Sequence, residues 1–185
     1  MSIACLGWGS LIWKPGILPT VGTWNENGPW LPVEFARQSK KSVISLVLEP
    51  GAQPVQALWA LLEVGSLREA RDALCQRENA TSAKSIGYWS TADRTEGEVS
   101  RLIGSWAVQR NLDGVVWTAL PPKWNGQRGV VPTIEQVLEH LRGLPEESKV
   151  AAERYVRKAP PQVRTAYRLR IEAELGWTYS DQITV

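Results

Sequence analysis

The chain has 185 residues, 43% of them hydrophobic and 22% charged, which is enough apolar material for one substantial core and too much for disorder. Its 21 basic and 19 acidic residues leave a net charge of +2, too little for a dedicated nucleic-acid footprint or a polybasic membrane anchor, so a small partner is expected, with no nucleic acid and no membrane. Cys5, Cys75 and His140 are the whole Cys and His complement, which excludes a disulfide scaffold and a metal site built on those residues.

No apolar run reaches the roughly twenty residues of a membrane span, and no basic region precedes a signal-peptide core. A cytoplasmic location is therefore expected, with residues 1–185 as one domain: a barrel-like body over 1–120 and a helical C-terminal extension over 133–185. Ten Trp against a single Phe point to large amphipathic side chains that fill a core or line a pocket.

Residues 2–6 form an apolar run stopped by Gly7, with Gly9 and Ser10 behind it, which predicts a buried strand opening into a tight loop. Between 14 and 32, Pro15, Pro19, Pro29 and Pro32 with Gly16, Gly22 and Gly28 predict no regular element, and Trp24 and Trp30 suggest a long loop folded back as a lid. Residues 42–48 and 55–63 read as central strands joined into a hairpin across Pro50-Gly51. A helix then opens at Ser66, which has capping-box spacing to Glu69, with Leu67, Ala70 and Leu74 as its apolar stripe.

Residues 85–90, 102–109 and 114–120 read as further strands, the last two joined across Asp113-Gly114. A proline- and glycine-rich loop over 121–132 leads into three helices. The first, 133–142, has a capping box in Thr133 and Gln136; the second opens at Pro145; the third opens at Pro161 and ends near Gly176, with Val163, Tyr167, Ile171 and Leu175 as its apolar face. This order predicts an α+β fold with a mixed or antiparallel sheet, one early helix and a helical C-terminal segment.

The segment Gly7-Trp8-Gly9-Ser10-Leu11-Ile12 begins like a dinucleotide fingerprint, but Ile12 stands where the third glycine belongs, and Pro15 and Gly16 interrupt the helix that should follow. Successive backbone N–H groups around such a turn make a nest for a carboxylate or oxyanion; a tight turn that merely needs glycine is the competing reading. Glu78 is the second candidate. At about 100° per residue from Leu67, Leu74 falls near about −20° and Glu78 near about +20°, so this carboxylate continues the apolar stripe. Burial and the helix C-terminus both favour its neutral form, which suits a general base; pairing with Arg77, or an early helix end that lets Glu78 reach water, is the alternative. Arg37 is a candidate clamp for a substrate carboxylate or an ordinary surface arginine. Arg154, Arg157, Lys158, Arg164, Arg168 and Arg170 are diluted by Glu153, Glu172 and Glu174, and read as a solvated helix face.

Residues 7–16, Gly-Trp-Gly-Ser-Leu-Ile-Trp-Lys-Pro-Gly, resemble the Gly-Tyr-Gly-Ser-Leu-Ile-Trp signature of ChaC-type γ-glutamylcyclotransferases with its basic-Pro-Gly continuation, and Arg77-Glu78 followed by Gly87-Tyr88 resembles that family's Arg-Glu and Gly-Tyr segment. Trp8 takes the place of the family's tyrosine, and residues beyond about 120 carry no resemblance. The resemblance implies a γ-glutamylcyclotransferase-like mixed β-barrel that cyclises a γ-glutamyl amine or peptide to 5-oxoproline without a cofactor. It gives Glu78 the role of catalytic base and Gly7, Trp8, Gly9, Ser10 and Leu11 that of holding the γ-glutamyl group. The alternative on the same fold is a non-catalytic module that binds or senses a small molecule.

Overall fold

A computed structural model describes residues 1–39, 43–93 and 97–180. In chain order the described residues form β1 (Ile3–Gly7), β2 (Thr20–Asn25), β3 (Trp30–Gln38), β4 (Ile44–Leu48), β5 (Pro54–Gln56), β6 (Leu58–Leu62), α1 (Leu67–Arg77), β7 (Ile86–Ser90), α2 (Glu98–Val108), β8 (Gly114–Thr118), β9 (Lys123–Trp124), β10 (Gln127–Arg128), α3 (Ile134–Arg142), α4 (Glu146–Lys158) and α5 (Ala166–Leu175). The fold is mixed α+β, with two mixed sheets. The described parts of residues 1–7, 14–31 and 56–120 make one compact unit, and those of 8–13, 32–55 and 121–180 a second.

The first unit is a five-stranded sheet in the order β2-β6-β1-β8-β7. β1, buried along its whole length, pairs antiparallel with β6 and parallel with β8, so that Cys5 lies between Ala60 and Val116. Helices cover both faces. Leu67 of α1 packs against Gly114, whereas the Trp89 indole lies on Gly104 of α2. Side chains alternate along a strand, so Gly114, Val116 and Thr118 face α1 and Val115 and Trp117 face the opposite side. The continuous apolar sequence of β8 follows from this double coverage, and that of β1 from its burial along the whole strand.

Residues 102–109 are a correction: they lie in α2, so the unit has two helices where one was expected, and they form no hairpin with β8. The buried Ile103, Trp106 and Ala107 have helical spacing, while Leu102 and Val108, 42% and 60% exposed, give the run its misleading strand-like continuity. The breaker-rich segment is a second correction, because β2 forms within it and pairs with β6. Its four prolines fall outside 20–25; only Gly22 lies inside, at φ +69, where the pairing register shifts. The chain after β2 is then fastened at Asn27. Its Oδ1 accepts from Trp59 Nε1 at 2.8 Å, and its carbonyl accepts from Trp106 Nε1 at 3.1 Å and Arg110 Nη2 at 2.8 Å. The two indoles meet edge to face at 5.4 Å.

The expected hairpin of 42–48 with 55–63 does not form, and Ser42 lies outside the described residues. β4 pairs with β3, whereas β6 pairs with β1 and β2; β5 also pairs with β3, so Pro50-Gly51 turns the chain without joining two long strands. In the second unit β3 stands between β4 and β9, and β9 turns back into β10 through Asn125-Gly126, at φ +45 and +82. That left-handed pair is the type I′ hairpin signal, so the expected loop over 121–132 contains a small ribbon. α3 has the complete Thr133–Gln136 capping box, and Val137, Leu138 and Leu141 are buried. α4 follows Pro145 as expected.

The last helix starts at Ala166 with Thr165 as its cap, later than Pro161, because Thr165 Oγ1 accepts the Arg168 N–H at 3.1 Å while Val163 N–H closes a turn onto Pro160 at 3.0 Å. A carboxylate from β3 completes this helix start. Glu34, 5% exposed, accepts from Phe35 N–H at 2.8 Å, from the Thr165 hydroxyl, from Tyr167 N–H at 3.2 Å and from Ala166 N–H. An anion at unsatisfied helix N–H groups is favourable in itself. Arg168, expected on a solvated face, is 1% exposed: its Nε bonds Glu172 at 2.8 Å, and its Nη1 bonds the Pro160 and Val163 carbonyls at 2.6 and 3.1 Å. Only the pairing of its Nε and Nη1 permits burial of this guanidinium, whose Nη2 has no partner.

Two outcomes are expected. Gly87 lies against the Trp117 indole of the neighbouring strand, where an added Cβ has no room, so Gly87→Ala should destabilise the protein by about 1–3 kcal/mol in urea unfolding. Burial pushes the Glu34 carboxyl above its ordinary 4.5 despite its hydrogen bonds. Its contribution to stability is then full below that ordinary value and is lost as pH rises through the raised one. Glu34→Gln should flatten this part of the stability profile measured between about pH 4 and about pH 8.

Candidate functional site

The site of interest lies where β1, β8 and α1 all end. α1 begins over Gly114 and runs toward the carboxyl end of β8. It is stopped by Asn79 in the left-handed conformation, φ +48. Ala80 N–H reaches Cys75 O at 3.0 Å and Asn79 N–H reaches Gln76 O at 3.1 Å, the paired closure of a Schellman motif. The helix is entered with equal definition: Ser66 Oγ accepts from Glu69 N–H at 3.2 Å, while the Glu69 carboxylate reaches back to Gly65 N–H at 2.8 Å, one residue earlier than a regular capping box. Both ends being fixed, the position of the last side chains is fixed as well.

Those side chains are Arg77 and Glu78, 11% and 16% exposed. Arg77 Nη1 donates to Glu78 Oε1 at 2.5 Å, and Nη2 donates to the Lys14 carbonyl at 2.7 Å. Gly16 lies against the Arg77 stem. The Arg-Glu pair is thereby tied to the Lys14-Pro15-Gly16 end of the N-terminal motif, within one unit. It also lies close to β1: burial pushes the Cys5 thiol far up, the Glu78 carboxylate pushes the same way, and Arg77 opposes both. Cys5 is thus a buried, protonated thiol and a poor nucleophile.

Sequence reasoning missed one group here. Thr118, the last residue of β8, has a buried hydroxyl with no hydrogen-bond partner. It lies two residues beyond the Cys5–Val116 register pair, as Gly7 does on β1, and on the face that α1 covers. A polar residue closing an otherwise apolar strand was the available signal.

The remaining candidates belong to the second unit. Trp8 and Leu11 are buried, and Trp8 Nε1 reaches the Leu46 carbonyl at 3.4 Å. Ile12 N–H closes a turn onto Gly9 O at 3.0 Å, with Ser10 partly exposed inside it. A Cβ on Gly9 would come within 2.5 Å of Tyr155 Oη, so a larger residue there would have to displace the end of that side chain. Arg37 Nη1 donates to the Pro121 carbonyl at 2.6 Å, which fixes the start of the segment leading to β9. Among the C-terminal arginines, Arg157 bonds Glu153 and the carbonyls of Gly176 and Thr178, and Arg170 bonds Glu174.

An open cleft of about 570 Å³ between the end of β7 and α2 is lined by Trp89, Ser90, Ser100, Arg101 and Ser105 among others, and by none of the candidates. Among the described residues no group of three or more His, Cys, Asp and Glu is placed to hold a metal ion, and no helix is long and apolar enough to cross a membrane. Comparison with protein-family models, with curated proteins and with solved structures finds no match for this chain.

Proposed function

We propose that this chain is a γ-glutamylcyclotransferase-like enzyme that cyclises a small γ-glutamyl amine or peptide to 5-oxoproline, with Glu78 as general base and a γ-glutamylcyclotransferase-like barrel as its framework. The observation that carries this reading is the attachment of the Arg77–Glu78 pair to the motif segment through the Lys14 carbonyl, beside the strand that ends in Gly7. Two sequence features, each selected for its resemblance to one family, are joined by a hydrogen bond between residues 63 positions apart.

The chemistry asks little of the protein. The substrate's α-amine and γ-carbonyl belong to one molecule, so closing a five-membered ring carries the advantage of an effective molarity of about 10⁵–10⁸ M once the chain is correctly folded. Glu78 takes a proton from the α-ammonium, the freed amine attacks the γ-carbon, and the tetrahedral oxyanion collapses with cleavage of the original C–N bond. The proton held by Glu78 passes to the leaving nitrogen as that bond breaks, and the second proton shed by the ring nitrogen after attack follows through the same carboxylate, so the amine departs as its ammonium and the lactam keeps one N–H. Arg77 fixes the rotamer of the carboxylate and leaves Oε2 to the substrate.

One observation favours a second reading. Glu78 is already engaged by its neighbour, its Oε1 accepting from Arg77 Nη1 at 2.5 Å, and an ion-paired carboxylate suits a module that binds the same ligands without turning them over. Incubation with a panel of γ-glutamyl amides and peptides separates the two. The enzyme releases 5-oxoproline, and Glu78→Gln lowers that release by about 10²–10⁴-fold while the melting temperature stays close to that of the unaltered protein. Unchanged turnover in Glu78→Gln removes the assignment, and ligand-dependent thermal stabilisation without any product supports the binding module.

A further inference from the structure

We infer that Thr118 is a substrate-contacting residue of this same site, its hydroxyl supplying a hydrogen bond to the polar end of the γ-glutamyl group; this rests on the functional reading above. The argument starts from a cost. A buried hydroxyl without a partner forfeits the hydrogen bonds it makes to water in the unfolded chain, and folded proteins rarely keep such a group without a use for it. Thr118 Oγ1 is buried and unpartnered, although the backbone around it is fully engaged: Ile86 lies opposite in register, and the following Ala119 N–H bonds Ser85 O at 2.8 Å. Nothing local requires threonine. A valine would satisfy the same strand geometry and the same apolar contacts without orphaning an oxygen.

Its position supplies the use. β1 and β8 run parallel, so their carboxyl ends, Gly7 and Thr118, reach the same edge of the sheet. Ligands of parallel sheets bind beyond those ends, where side chains and backbone N–H groups are no longer committed to the ladder. α1 runs over the Gly114, Val116 and Thr118 face and delivers Arg77 and Glu78 at its own C-terminus, where Glu78 is close enough to act on Cys5, two residues before Gly7. A hydroxyl with both donor and acceptor capacity free is suited to a zwitterionic ligand end, whose ammonium donates and whose carboxylate accepts.

The test pairs Thr118→Val, which keeps shape and removes the hydroxyl, with Thr118→Ser, which keeps the hydroxyl. Melting temperature and steady-state 5-oxoproline release from a γ-glutamyl amide are measured for both and for the unaltered protein. The valine variant should melt at the same temperature or higher, since an orphaned oxygen has been replaced by a methyl group, and yet show a KM raised about ten- to hundred-fold with kcat changed much less. The serine variant should retain most of the affinity. Equal KM in the valine variant overturns the role of Thr118 while leaving the Glu78 reading intact, and a lowered melting temperature with unchanged KM assigns the hydroxyl to the fold. A protein that neither binds nor turns over any γ-glutamyl compound overturns both.

Discussion

The structure of the first unit depends on one constraint: β1 is buried along its whole length between β6 and its parallel neighbour β8, and the β8–β7 side of the sheet has α1 on one face and α2 on the other. A parallel pair sealed in this way has no position along its length where a polar side chain reaches water, so its residues are Ile, Ala, Cys, Leu, Val, Trp and Gly until β8 ends in Thr118. Polar function is thereby displaced to the ends. Gly7, Thr118 and the last two side chains of α1 gather at the carboxyl edge because every position before it is committed to the core.

Two carboxylates withdrawn from solvent, Glu34 and Glu78, differ in how far their oxygens are engaged. Glu34 is enclosed by the donors of β3 and of the start of α5, with both oxygens engaged. It has nothing left to offer a ligand, and its raised pKa marks the cost of burial rather than a catalytic task. Glu78 has one oxygen on Arg77 and stands at the edge of the sheet.

Local chemistry with a short reach was legible in the sequence. The Thr133–Gln136 box, the Ser66 cap and the apolar run of β1 each depend on residues within a few positions of one another. What was not legible depended on partners far along the chain. Residues 102–109 carry mixed strand and helix character, and only the sheet face they pack on selects the helix. β4 and β6 each read as a strand, but their assignment to different sheets is decided by β3 and β1. Arg168 looked like a surface charge because its neutralising carbonyls, at Pro160 and Val163, have no sequence signature. At the site, Glu78 could be selected from helical phase, whereas Thr118 needed the register of β8 against β1.

The three bonds that converge on Asn27 also decide what the breaker-rich N-terminal segment is. With β2 laced to β6, and Gly28 and Ala57 exchanging backbone bonds through Pro29, this stretch is a braced rim of the first unit. A hinged flap needs slack at its root, and here the root is clamped by two indoles and a guanidinium. The masonry comes from elsewhere in the unit, Trp59 of β6 and Trp106 of α2, while the segment's own Trp30 is 60% exposed.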